Sequence, residues 1–507
     1  MDVSSNNKRI AKNTIALYIR MLVMTLISLY TVRVTFKVLG IDDYGIYNVV
    51  CGLIGFLGFI TTTLSTSAQR FLAFDLGQGN KNDYTHTFSM IFYIILASTI
   101  IIVLLAELFG PWLINNYLVI PVERLNAAKI IYQISIVSFI VRFLVVPYSS
   151  SIIAYEKMGF FAYISIFESL AKLGIVYLLT ISPIDKLVSY AILVLFTDII
   201  VTIIYVIVCV KNLPGCKIIC YWNRTKLGEM GRFMGWSIFG SLSAIFSTQG
   251  LSIIMNMFFS PAVIASKAVA DKVHSFSYSF VANFITATSP QMTKYYSIGD
   301  IPNLVSLFFR TSKICFFLML VISIPLIISA PDLLSVWLSE ELLDDMILFT
   351  RLTLISTLFS AFETPISRAV HAAGNVKSYQ IVNCIVSFIA LPIVFILFKA
   401  GYPPFWSYIV SIVLLALSII YRLIILHKYV KFSYKSYVNS VILPVLVVVA
   451  ISIPLSYLIT RISFENIFIR LLIQLSSAVV VLLFIIFVFG LKKAERSYII
   501  GIIKSKI

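Results

Sequence analysis

Of the 507 residues in this chain, 60% are hydrophobic and only 12% charged, and the mean hydropathy is +0.99. That excludes a soluble fold, since soluble domains carry about 25% charged residues, whereas a bilayer solvates the outer faces of apolar helices. The net charge of +17 does not point to nucleic acid, because the Lys and Arg sit in short segments between apolar runs, where topology and anionic headgroups account for them.

The opening MDVSSNNKRIAKNT has neither the short apolar core nor the small-residue cleavage site of a removable signal. The first helix is therefore expected to serve as the insertion signal. Apolar runs of about twenty residues, enough to cross the hydrocarbon core, follow at 11–36, 45–69, 85–109, 129–153, 161–181, 187–210, 234–258, 264–290, 308–330, 346–371, 379–399, 405–427, 438–460 and 467–490. The expectation is an all-α polytopic membrane protein with about 14 spans.

Basic residues alternate across these runs. With the N-terminus inside, cytoplasmic segments would hold about two dozen, among them Lys8, Arg9, Lys12, Lys294, Lys313 and Arg422; the opposite segments would hold about six, Lys37, Arg124, Lys129, Lys186, Lys399 and Arg461. The acidic loop with Asp332, Glu340, Glu341, Asp344 and Asp345 also falls outside. The pattern places both termini in the cytoplasm.

The chain also repeats itself. Ser67-Ala68-Gln69 ends span 2 and Ser289-Pro290-Gln291 ends span 8. Pro111 follows span 3 and Pro331 follows span 9. Pro147 lies in span 4 and Pro365 in span 10. All three pairs are offset by roughly 220 residues, the mark of a parallel repeat of two six-helix lobes. The expected organisation is an N-terminal lobe over 1–210, a cytoplasmic connector over 211–233, a C-terminal lobe over 234–427, and a further helix pair with a tail over 428–507.

A charge at the bilayer centre costs about 2.5–3.5 kcal/mol on insertion scales, so the embedded ones require partners or water. They are Arg20 and Arg33 in span 1, Arg142 in span 4, Glu168 and Lys172 in span 5, Asp198 in span 6, Lys267, Asp271, Lys272 and His274 in span 8, and Glu363 and Arg368 in span 10. Glu168 and Lys172 stand four apart with the acid first, which suits an intrahelical pair. Lys267, Asp271 and His274 share one face. A local Lys267–Asp271 salt bridge, a snorkelling Lys267 and a cavity role are all open there. Asp271 is open to a proton-linked role as well as to a plain bridge. Arg33 lies where snorkelling is the default; Arg20 is the better candidate for a central site.

Spans 2 and 7 are polar for membrane helices. Span 2 carries Thr61, Thr62, Thr63, Ser65, Thr66, Ser67 and Gln69, and span 7 carries Ser237, Ser241, Ser243, Ser247, Thr248, Gln249, Ser252 and Asn256. Small polar residues serve tight helix packing, but Gln249 and Asn256 on one face load it heavily. A hydrated cavity lined by spans 1, 2, 7 and 8 would explain the amides and the charges together. Its candidate substrate-binding residues are Arg20, Gln249, Asn256, Lys267, Asp271, Lys272 and His274.

No catalytic constellation, Walker loop or HExxH is present. His86, His274, His371 and His427 are scattered, and Cys216 and Cys220 lack a nearby His. The chain is not expected to be an enzyme or to hold a metal or cofactor, and no disulfide is expected among Cys51, Cys209, Cys216, Cys220, Cys315 and Cys384.

Asn13-Thr14 through Arg33, then Val38-Leu39-Gly40-Ile41-Asp42-Asp43-Tyr44-Gly45-Ile46-Tyr47, and Gln69-Arg70-Phe71 to Gly79 after span 2, resemble the polysaccharide transporter family. This is the Wzx-type flippase branch of the multidrug/oligosaccharidyl-lipid/polysaccharide (MOP) exporter superfamily. The resemblance implies a V-shaped pair of lobes around a central cavity in the bacterial inner membrane. It implies an undecaprenyl-pyrophosphate-linked oligosaccharide, an O-antigen or capsule repeat unit, carried from the cytoplasmic to the periplasmic leaflet by alternating access. Cavity cations would meet the pyrophosphate, spans 13 and 14 would offer a groove for the lipid tail, and membrane lipids, H+ or Na+ coupling and a polysaccharide polymerase complex are the implied partners. Arg20, Lys267 and Lys272 match no fixed family motif. The competing readings are a cation-coupled multidrug exporter or a peptidoglycan-precursor flippase of the same superfamily, and a membrane enzyme.

Overall fold

The computed structural model describes residues 3–39, 43, 46–47, 50–51, 54, 57–79, 81–116, 121–179, 185–259, 261–338, 344–459, 464–492 and 495–496. Half of the 38–47 phrase and much of the first half of the second run lie outside them. Among the described residues the structure is helical and contains no strand. The chain divides into two compact units. The first is Met1–Ser241 with Thr286–Ile298, and the second is Leu242–Ile285 with Gly299–Ile507.

In the first unit α1 (Val3–Leu39), α2 (Gly58–Gln78), α3 (Lys81–Asn116), α4 (Leu125–Leu144), α5 (Val146–Ala154), α6 (Met158–Leu178) and α7 (Lys186–Asn212) follow in order. α1 lies along α6, α2 along α5, and α4 along α7. Pro147 divides span 4: it stands in the first turn of α5, where its missing N–H leaves no bond unmade. Pro111 does not end α3, which runs through it to Asn116, so the external connection is shorter than the sequence pattern implied. Ile114, Ala128, Ile131, Tyr132 and Ile136 bury against Leu187 and Ala191 to hold α3, α4 and α7 together.

The expected connector over 211–233 is largely structured. α8 (Arg224–Phe258) already covers its residues from 224 onward. The irregular stretch before α8 is strapped to α3: Ser89 Oγ donates to Lys217 O at 3.1 Å and accepts from Ile219 N at 3.0 Å, and the His86 and Tyr221 rings stack at 3.7 Å.

The second unit holds the rest of α8, most of α9 (Pro261–Ser297), α10 (Ile301–Ile328), α11 (Ala330–Leu338), α12 (Asp344–Ala373), α13 (Lys377–Lys399), α14 (Trp406–Tyr429), α15 (Leu443–Ile459) and α16 (Ile467–Ile485). α12 packs between α10 and α14. The C-terminal pair docks on α10, where Phe316, Phe317, Leu320 and Ile324 meet Val445, Val448, Leu482 and Ile485.

Eleven helices among the described residues are long and apolar enough to cross a membrane. α2, α8 and α9 have 21, 35 and 37 residues, also sufficient length to cross. Two of the three are the helices whose polar load stood out in the sequence. Many large apolar side chains face outward, such as Leu26, Leu104, Leu108, Phe196 and Leu472, as expected of helices solvated by lipid.

Candidate functional site

In the first unit three helices contribute to one charged network, and a fourth brings an arginine beside it. Arg142 on α4 bridges the Glu168 carboxylate of α6 and, through Nε at 2.9 Å, Asp198 Oδ1 of α7. Ser138 Oγ, one turn before Arg142, donates to the same Asp198. Lys172 Nζ closes on Glu168 Oε1 at 2.5 Å. The i,i+4 spacing therefore does produce the Glu168–Lys172 pair, but the pair is one edge of a larger lattice. Arg20 on α1 stands beside it. Its Nη1 donates to Ser165 Oγ at 3.3 Å, its guanidinium covers the Phe161 ring at 4.6 Å, and its buried Nε has no hydrogen-bond partner. Arg20 makes no ion pair among the described residues. A guanidinium held by one hydroxyl and one ring keeps donors for an incoming acceptor.

In the second unit Lys267 Nζ donates to Asp271 Oδ2 at 2.7 Å; the lysine end is 11% exposed and the carboxylate 56%. Lys272 is exposed with no ion pair among the described residues. His274 shares a face with this pair but is engaged elsewhere: its Nδ1 meets Thr357 Oγ1 of α12 at 2.8 Å, and its ring stacks on Tyr278. Tyr278 in turn meets Thr364 Oγ1 at 2.9 Å. These bonds tie α9 to α12. Gln249 and Asn256 lie in α8, and their side chains are outside the described residues, as is the side chain of Arg33.

Sequence reasoning missed a second cluster in this unit. Arg422 on α14 was counted as a cytoplasmic loop cation. Its side chain is 6% exposed, and its Nη1 pairs with Glu363 Oε1 of α12 at 2.8 Å. Its Nη2 donates to Asn383 Oδ1 at 2.5 Å, and the guanidinium lies over the Tyr379 ring. Lys313, taken as another loop cation, is 2% exposed and pairs with Glu495 Oε2 at 2.6 Å. Lys294 is likewise buried. No local spacing announces these partners.

The charge inventory is lopsided. Among the described residues, the span carboxylates Glu168, Asp198 and Glu363 and the more exposed Asp271 are each ion-paired with a base. Arg20, Lys272 and Arg368 have no such counterpart. The surplus within the spans is cationic, and carboxylates compensated in this way carry little affinity for a further cation.

The MatE family model matches residues 16–178 and 237–396, well over half of the chain and in two separate stretches. The chain belongs to the MatE family. A crystal structure of MATE in complex with MaL6 has a TM-score of 0.73 at 14% identity, covering 84% of this chain and 98% of that one. An outward-facing multidrug resistance MATE family transporter of the MOP superfamily gives 0.74 at 13%, covering 84% and 97%. A MOP superfamily transporter from Pyrococcus furiosus, described as having a binding pocket of reverse polarity that suggests a different function, gives 0.73 at 12%, covering 84% and 96%. Identities this low carry the fold alone. None of the curated proteins matches the sequence. The molecule is thus a multi-pass MatE-family transporter with the MATE fold. The family model's match stops at residue 396, before the helix pair docked on α10.

Proposed function

We propose that this MatE-family transporter is an alternating-access exporter whose cargo has an anionic headgroup and a long lipid tail. The finer reading, supported by the resemblance of its first two spans, is an undecaprenyl-pyrophosphate-linked oligosaccharide moved from the cytoplasmic to the periplasmic leaflet of the bacterial inner membrane. The observation that carries it is the imbalance of embedded charge. A pyrophosphate wants cations with donors to spare, and Arg20, Lys272 and Arg368 supply them while the neighbouring carboxylates are already neutralised. The two-lobe organisation, with its boundaries at 210, 234 and 427, belongs to the same proposal, as do both termini in the cytoplasm. So do Arg20, Gln249, Asn256, Lys267, Asp271, Lys272 and His274 as cargo contacts, with the C-terminal pair serving the lipid tail.

A second reading is cation-coupled multidrug export. The matched structures lean toward it, because one of them is named a multidrug resistance MATE family transporter. It asks for a carboxylate that trades one cation for another, and here Glu168, Asp198, Asp271 and Glu363 would each first have to release a Lys or Arg. Deleting the gene in its source organism separates the two. Loss of surface glycan with drug sensitivity unchanged supports the flippase. Hypersensitivity to cationic drugs with surface glycan intact would replace it with the second reading.

A further inference from the structure

Glu156 occupies the three-residue turn between α5 and α6 and has no part in the networks above. It is the one non-glycine residue with positive φ among the described residues, at 61°, a conformation that L residues pay to adopt and that persists where the surroundings enforce it. Its side chain is fully buried, yet it is a carboxylate. Arg9 Nε lies 2.8 Å from Oε2, Lys294 Nζ 2.6 Å from Oε1, and Gln291 Nε2 donates to Oε2 at 2.6 Å. Its backbone carbonyl accepts from Asn13 Nδ2 at 2.9 Å. One acid thus binds the start of α1 and the last two turns of α9.

α9 has an unusual course. It begins in the second unit, and from Thr286 it belongs to the first. Leu17, Ile153, Met158 and Ala287 form a small apolar cluster along that last stretch. On α2, a Cβ added to Gly77 would stand 1.9 Å from Ser297 Oγ and 2.9 Å from the Lys294 Cα. Only glycine allows α2 and the end of α9 to meet so closely. A strained turn, a buried acid with two cations and a glycine contact all converge on the same two turns of helix.

We propose that this knot is a latch. The last turns of α9 leave α1, α2 and the α5–α6 turn once in each transport cycle, and Glu156 sets how firmly they are held. The proposal rests on the transporter reading, though not on the identity of the cargo. A buried carboxylate between two cations suits a latch: it is strong while assembled, and both partners regain water when the helix end lifts away.

The test uses the full-length protein in nanodiscs, with the six native cysteines replaced and Thr293→Cys, a position 3% exposed in this state, as the probe for a maleimide. Glu156→Gln should raise its labelling rate at least about tenfold, because the buried Lys294 and the half-exposed Arg9 lose their shared counterion. Gly77→Val should do the same by wedging α2 from α9, through a different perturbation. A Leu17→Cys/Ala287→Cys pair, two positions of that same apolar cluster, oxidised to bridge α1 and α9, should stop transport, and a reductant should restore it. Unchanged labelling in both variants, or full transport by the cross-linked protein, would overturn the latch. Should Glu156→Gln fail to fold, Gly77→Val and the cross-link still decide. The labelling needs no cargo, so failure of the flippase reading alone would leave it unaffected.

Discussion

Replacing Glu363 by Leu strands Arg422. The guanidinium is 6% exposed and cannot shed its proton, so the charge stays buried with Asn383 and the Tyr379 ring as its remaining neighbours. Removing one member of a buried ion pair costs about 3–5 kcal/mol. In a unit of this size each kcal/mol moves the melting temperature by about 2–4 °C, so Glu363→Leu should lower it by roughly 10 °C. Adding Arg422→Met should restore most of that loss, because an apolar pair of similar volume removes the desolvation cost along with the attraction. The native cysteines supply the assay. Cys315 and Cys384 are buried in the second unit, so with the other four cysteines replaced a dye that fluoresces on thiol attachment reports its unfolding in detergent. The reasoning fails if Glu363→Leu melts within about 2 °C of the parent, or if the double variant is worse than the sum of the singles.

Three other outcomes follow from the same physics. Arg20→Gln breaks no ion pair, so it should abolish export while the protein still inserts and melts normally; normal export by Arg20→Gln together with Lys267→Gln would remove both residues from the cargo path. Gly110→Ala puts a Cβ 1.8 Å from Tyr132 Oη, which donates to Ala106 O at 2.7 Å. It should cost about 1–3 kcal/mol by overpacking, less when combined with Tyr132→Phe, in the same melting assay. Asp185 caps α7 and pairs with Arg124. Burial opposes its charge, but the Val188 and Leu187 N–H groups and Arg124 outweigh burial and hold the carboxyl below its ordinary value. Its contribution is therefore present above the unfolded pKa of about 3.9 and is lost as pH falls through the lower folded value. Asp185→Asn should flatten the decline in melting temperature on the acid side.

Local pattern carried much of the architecture into view. The apolar runs became helices because length and composition alone decide what can cross a bilayer. The Glu168–Lys172 and Lys267–Asp271 pairs were legible because both partners lie one helical turn apart. What escaped was set by distance along the chain. Arg142 and Asp198 are 56 residues apart, Lys294 and Glu156 are 138, and Lys313 and Glu495 are 182. The rule that reads Lys and Arg near span ends as topology signals also hid three of them, since Lys294, Lys313 and Arg422 fit the alternation while being buried as partners of distant acids. Glu156 gave no signal at all: one acid in a short Tyr-Glu-Lys turn looks like any solvated connection until α9 arrives beside it. Pro111 misled in the opposite sense, because a helix tolerates proline in its interior when the surrounding packing outweighs the single lost bond.

The most direct measurement is flipping by the purified protein in liposomes, comparing a fluorescent polyprenyl-pyrophosphate oligosaccharide with the same molecule bearing a cationic headgroup of equal size. The account predicts that the pyrophosphate form crosses several times faster than in protein-free liposomes and that Arg20→Gln abolishes the gain. Equal or faster movement of the cationic form, unaffected by Arg20→Gln, would contradict it.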